Sequence, residues 1–249
     1  MTPWITKPVP FNIGQGAAGA AAAFDPNSIS DLWAWYKAES TYMTVTGSDE
    51  ITAWNPETNL TAKKLIADST GVAPTLGTYN SRGIAQFDGT EVMHTNDDSY
   101  TLTQPFSFAI AMKFPTAVAY RTIFDCDDVV NRMLNRNNNS TSGTQLQIAN
   151  GATYESSDEG VISATWGYEI IVVDGTDTKW HINGIDVAPS PIDVTDDFDP
   201  LTIASDYRAL AGGSNNMTGD FMHFIIYDKA LDDDEIAELE EWLADEVGL

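Results

Sequence analysis

A chain of 249 residues with 43% hydrophobic content is long enough to bury a real core, and one all-β domain is the default expectation at this size. Its 37 acidic and 12 basic residues leave a net charge of −25, which repels phosphate backbones and anionic headgroups, so nucleic-acid binding is not expected. No stretch is apolar for long enough to span a bilayer, which argues against membrane insertion, and the single Cys126 rules out an internal disulfide.

The chain opens on Pro3, Pro8 and Pro10 and then on Gly14, Gly16 and Gly19 within an alanine run. Such a segment cannot bury enough surface to fold by itself, so residues 1–24 are expected to be an extended arm and residues 25–249 the globular domain. Trp4, Ile5, Phe11 and Ile13 give the arm apolar anchors that a neighbouring subunit could bury. Ala17 to Phe24 is too short and too poor in basic flanks to read as a secretion signal.

From Asp25 onward the pattern is strand-like. Asp25-Pro26-Asn27-Ser28 is turn and cap chemistry leading into Leu32 to Tyr36, a strand with bulky residues on both faces. Ile51 to Asn55 is a short strand stopped by Pro56, and Gly83 to Asp88 ends in an Asp-Gly turn. Phe106, Phe108, Ile110, Met112 and Phe114 alternate with small or polar residues, which predicts a half-buried strand. Arg121 to Asp125 follows, then a polar stretch from Asn131 to Gly143 that reads as a loop, then a strand at Gln145 to Ala149. Tyr168 to Val173 and Lys179 to Asn183, joined by Asp174-Gly175 and followed by Asn183-Gly184, form a meander. Leu201 to Ala204 adds one more strand. Many short strands with Gly, Asn and Asp turns predict an antiparallel β-sandwich.

The closing unit is the most specific. Phe221 to Tyr227 is an aromatic-rich strand, and Asp232 with Glu235 forms a capping box between the hydrophobic pair Leu231 and Ile236. Ile236, Leu239, Leu243 and Val247 then recur at helical spacing before Gly248 supplies a stop. His94, His181 and His223 have no metal-ligand spacing, and the latter two fall in strand-like runs where a packed histidine is the expected finding.

The order of these segments resembles the laminin-G-like, concanavalin-A-like jelly-roll family, specifically the single-domain versions found in bacteriophage virion proteins and bacterial surface proteins. Six pieces stand in family order: Trp33 to Tyr36, Ile51 to Asn55, Phe87-Asp88-Gly89, Phe106 to Phe114, the pair around Asn183-Gly184, and Gly219 to Leu249. The resemblance implies a jelly-roll sandwich with a short C-terminal helix. With the arm, it implies a non-enzymatic virion component, either a capsid-decoration or a tail-fibre adhesin protein, attached to other virion proteins through the arm and homo-oligomeric within the particle.

Relatives with this fold also include laminarinase-type glycoside hydrolases, whose strand-borne Glu, Asp and Glu follow a fixed interval, and no strand here carries it. A carbohydrate-binding module of a cellular surface protein is a further alternative. Sugar recognition needs aromatic platforms beside planar polar groups, and Tyr120-Arg121, Asn135-Arg136 and Tyr207-Arg208 are the candidates for contact with cell-surface glycans. Calcium is a candidate cofactor because many relatives carry it on a loop, with Asp125, Asp127 and Asp128 as candidate ligands and Asp193 to Asp199 as a second acidic loop.

Overall fold

The computed structural model describes residues 24–58, 63–67, 72–95, 102–114, 121–126, 133–140, 143–150, 153–156, 165–175, 177–187, 201–205 and 216–249, and of 126–156 the backbone alone. In chain order a 3-10 turn at Pro26–Ser28 precedes β1 (Leu32–Lys37), β2 (Met43–Val45), β3 (Ile51–Trp54), β4 (Leu65–Ala67), β5 (Thr75–Tyr79), β6 (Arg82–Asp88), β7 (Met93–Thr95) and β8 (Phe106–Lys113). There follow β9 (Arg121–Cys126), β10 (Met133–Ser140), β11 (Gly143–Asn150), β12 (Thr153–Ser156), β13 (Trp166–Val173), β14 (Lys179–Ile182), β15 (Ile185–Asp186), β16 (Leu201–Ile203), β17 (Thr218–Tyr227) and the helix α1 (Asp233–Val247).

Among the described residues the strands form two sheets, and every ladder is antiparallel. One runs β15-β14-β13-β8-β17-β6-β5, with β1 also on β17; the other runs β12-β11-β10-β9-β16-β7-β4-β3-β2. β17 is long enough to serve two partners on one edge: Thr218 to Phe221 pair with β6, and His223 to Tyr227 pair with β1. Asn183 and Gly184 both take positive φ, 50° and 78°, as the tight turn between β14 and β15 requires.

The side chains sort into two clusters. Phe106, Phe108, Ile110, Met112 and Phe114 lie together between the sheets with Tyr36, Trp54, Phe124, Trp180, Phe221 and Phe224. Phe224 packs edge-on against Phe124 across the sandwich, ring centres 5.5 Å apart. Ala109, Ala111, Ile170, Val172 and Ile225 face the other way, where Ile236, Leu239, Leu243 and Val247 of α1 cover them. β8 is therefore buried on both faces, not one. Its small residues admit the helix backbone close to the sheet, and alternation with alanine does not mark a solvent face.

The helix begins as its sequence specifies. Asp232 Oδ1 accepts from the Glu235 amide at 2.9 Å, and Glu235 Oε2 accepts from the Asp232 amide at 3.0 Å. Gly248 closes it in the left-handed conformation, donating to Ala244 O.

The polar stretch read as a loop is a strand across most of its length. Met133 to Ser140 pairs residue for residue with Gly143 to Asn150, and β12 adds a third strand to that hairpin from Thr153 to Ser156. Asparagine is a poor strand former, so the ladder's backbone bonds, not side-chain pattern, hold this segment extended.

Candidate functional site

A single irregularity in β17 creates the cleft beside the end of α1. Phe221 pairs with Met112 and His223 with Ala111, so Met222 is an extra residue that shifts the register. The bulge turns His223 to the helix-covered side, where plain alternation from Phe221 would have sent it into the core between the sheets. In β1 the same side carries Trp35, opposite Ile225, and Lys37, opposite His223. Trp242 and Glu246, one turn apart near the end of α1, complete the other wall.

Phe24, Asp25, Pro26, Trp35, Lys37 and Glu39 join His223, Trp242 and Glu246 around a cleft of about 350 Å³. That is the size of a site for one sugar ring or a small organic group. A second groove of about 270 Å³, between Ala38 to Thr41 and Leu76 to Thr78, shares Glu39 with the first. The Trp35 and Trp242 rings meet edge-on at 5.6 Å, Phe24 tilts against Trp242 at 6.3 Å, and the His223 ring lies 4.9 Å from Trp242.

A hydrogen-bonded chain fixes the floor. Trp35 Nε1 donates to His223 Nδ1 at 3.4 Å, which leaves the neutral ring's proton on Nε2, and Nε2 donates to Glu246 Oε2 at 3.1 Å. Burial pushes the His223 pKa down, more than its contact with Glu246 raises it, so the imidazole is neutral. Burial would raise the Glu246 pKa, but hydrogen bonds from His223 and Arg82 outweigh it and hold the carboxyl below its usual range. Arg82 of β6 grips Glu246 at 2.7 Å and Asp245 at 3.0 Å. The last turn of α1 contains no basic residue of its own, so Arg82 supplies the cation that the helix C-terminus favours. Lys37 is likewise engaged, 2.7 Å from Glu57 and 3.7 Å above the Trp35 ring. With both Glu246 oxygens occupied, the cleft can hold a ring by stacking and hydrogen bonding.

The sites expected from sequence fall elsewhere. Arg121 opens β9 and donates to Asn216 O at 2.8 Å, which anchors the strand to the segment before β17. Asn135 and Arg136 are in β10, not in a loop; Asn135 pairs with Phe124, and Arg136 pairs with Thr122 after a register shift. Asp125 lies fully buried in β9, and no group of three metal-ligating side chains occurs among the described residues. Asp127, Asp128, Asp193 to Asp199, Tyr120, Tyr207, Arg208 and the arm residues Trp4, Ile5, Phe11 and Ile13 lie outside the described residues. The structure brings Arg121, Asp125, Asn135 and Arg136 onto neighbouring strands, away from the aromatic cleft.

Sequence reasoning missed the cleft. Its one local signal is the i, i+2, i+4 series Trp35, Lys37, Glu39, which an extended backbone directs to one side. Trp35 was legible as a strand residue and His223 as a packed histidine, but their meeting depends on the Met222 bulge.

No curated protein sequence matches the chain. Among solved structures the chain is similar to domain 4 of AbnA, a GH43 extracellular arabinanase from Geobacillus stearothermophilus, in complex with arabinotriose. The TM-score is 0.64 at 14% identity, over 84% of this chain and 98% of that one. It is also similar to the Trypanosoma rangeli sialidase in complex with sialic acid, with a TM-score of 0.61 at 10% identity over 88% of this chain, which spans 33% of the sialidase. At these identities the likeness is one of fold. The family model for the concanavalin A-like lectin/glucanases superfamily matches residues 87–237, from the Phe87 strand through β17 to the first turn of α1. The chain belongs to the concanavalin A-like lectin/glucanases superfamily.

Proposed function

We propose that this protein is a non-enzymatic component of a bacteriophage particle that displays a saccharide-binding sandwich. The observation that carries the binding half is the cleft itself. Trp35 and Trp242 line it, Lys37, Glu39 and Asp25 supply polar groups around them, and the groove sharing Glu39 lengthens the surface toward that of a chain of sugars. The arabinanase domain, nearly all of which the chain matches, was solved with arabinotriose, which supports reading this fold as a sugar-binding one.

The non-enzymatic half is supported by the missing strand-borne carboxylate series. It is supported also by the engagement of Glu246 with Arg82 and His223, which leaves this carboxylate ill-suited to proton transfer. Attachment to a particle rests on the arm. Residues 1–24 carry Trp4, Ile5, Phe11 and Ile13 among prolines and glycines, a composition suited to docking on other virion proteins, while residues 25–249 form the displayed domain.

Affinity electrophoresis in gels containing arabinan, laminarin or chitin derivatives tests the binding half. At least one polysaccharide should retard the protein, and Trp242→Ala should weaken that retardation about tenfold, a loss near 1.4 kcal/mol. Release of reducing sugar above a blank would show an enzyme instead. A truncation beginning at Phe24, which keeps that ring on Trp242, should fold and bind yet fail to copurify with assembled particles; full incorporation would remove the arm from its role.

A further inference from the structure

We infer that the cleft selects saccharides bearing a protonated amine, such as glucosamine oligomers, over N-acetylated and acidic sugars. This deepens the reading of the cleft as a saccharide site and rests on it. The argument is one of charge left over after pairing. Lys37 is matched by Glu57 at 2.7 Å, and Arg82 by Asp245 and Glu246. His223 is an uncharged donor to Glu246. Asp25 accepts from the amide and side chain of Asn27, and Glu39 is exposed and forms no ion pair among the described residues. Both carboxylates line the cleft, and among the described residues neither is held in an ion pair. An anionic sugar entering there would meet two carboxylates and a protein of net charge −25; an ammonium would meet its complement.

The aromatic wall reinforces the sign. Indole faces carry negative electrostatic potential, and this chain already seats ammonium groups on them twice: Lys37 Nζ lies 3.7 Å from the Trp35 ring centre and Lys63 Nζ 3.6 Å from that of Trp33. Trp242, partly exposed at the cleft, offers a third indole beside Asp25 and Glu39, so a sugar stacked on it would hold a ring amine near a carboxylate. An N-acetyl group removes the charge and adds bulk. A carboxylated sugar inverts the charge.

Calorimetric titration of the full chain with a glucosamine tetramer, an N-acetylglucosamine tetramer and sialyllactose tests this. The glucosamine tetramer should bind at least about tenfold tighter than its N-acetylated counterpart, with no heat from sialyllactose. Glu39→Gln should narrow that ratio at least threefold, whereas Glu238→Gln, which removes the same charge from the exposed side of α1, should leave it unchanged. Equal or tighter binding of the N-acetylated tetramer, or tight binding of sialyllactose, would overturn the selection while leaving the site a saccharide site. Glucosamine binding that Glu39→Gln and Glu238→Gln weaken equally would reduce it to general ionic attraction. Absence of binding by all three, with arabinan or laminarin still retarding the protein in the gels, would overturn the selection alone; absence in both experiments would bring down the site as well.

Discussion

His223 shows how much one residue's placement depends on its neighbour. The extra Met222 in β17 turns the imidazole toward Trp35, Trp242 and Glu246, where it is almost wholly buried and uncharged. The unfolded chain protonates this ring near the ordinary value of 6.5, while the folded chain resists protonation because burial disfavours the cation. Acidification through that range therefore adds protons to the unfolded state first and erodes stability, and stability from this residue is fully present above it. Glu246, held below its ordinary 4.5, adds a second loss in the same direction at lower pH. Urea unfolding at about pH 7.5 and pH 5.5 should show a drop for the wild type that His223→Gln reduces. An unchanged drop in the variant would mean that other groups set the acid limit.

The closing helix is the element whose sequence and structure agree most closely. Its capping box is local chemistry, so Asp232→Ala should cost about 1 kcal/mol in denaturant unfolding without loss of cooperativity. Leu243, fully buried against the sheet, should cost about 2–5 kcal/mol as Leu243→Ala; a cost under about 1 kcal/mol would mean that the helix is not packed as described. The helix was legible because caps and 3.6-residue spacing are encoded within a few positions. The core face of β8 was legible for the same reason, but its second buried face was not, since Ala109 and Ala111 read as small when their role is to let α1 approach. β2, β4 and β7 are three residues each, too short for any period to show. The Asn-rich β10 opposed its own propensity and was fixed by pairing partners the sequence does not announce. The cleft joins β1, β17 and α1 through a bulge, and a bulge leaves no mark in alternation until the register is known.

For the whole molecule the dominant quantity is charge. An excess of 25 negative charges over the chain repels itself in the compact state, and salt screens that repulsion over a distance of about 10 Å at 0.1 M. The thermal midpoint should rise as sodium chloride increases from about 10 mM to about 0.5 M, more than for a neutral sandwich of similar size. A midpoint that falls with salt would mean that the exposed ion pairs, such as Lys179–Asp233, outweigh the net repulsion.

The double engagement of β17 also governs when the fold can form during synthesis. β1 has its ladder partner near the far end of the chain: Trp35 and His223 are 188 positions apart, and Tyr227 bonds to Pro26 across 201. β8 must hold an unfilled edge toward the same strand, and β6 has only its first half of neighbours until Thr218 to Phe221 arrive. On the ribosome the eight-stranded sheet therefore waits with open, hydrophobic strand edges until β17 has emerged, and only then closes. Nascent chains halted before Thr218 will be held by chaperones or lost to aggregation, and the rate at which the segment between β8 and the end of β17 is translated sets how long that exposure lasts.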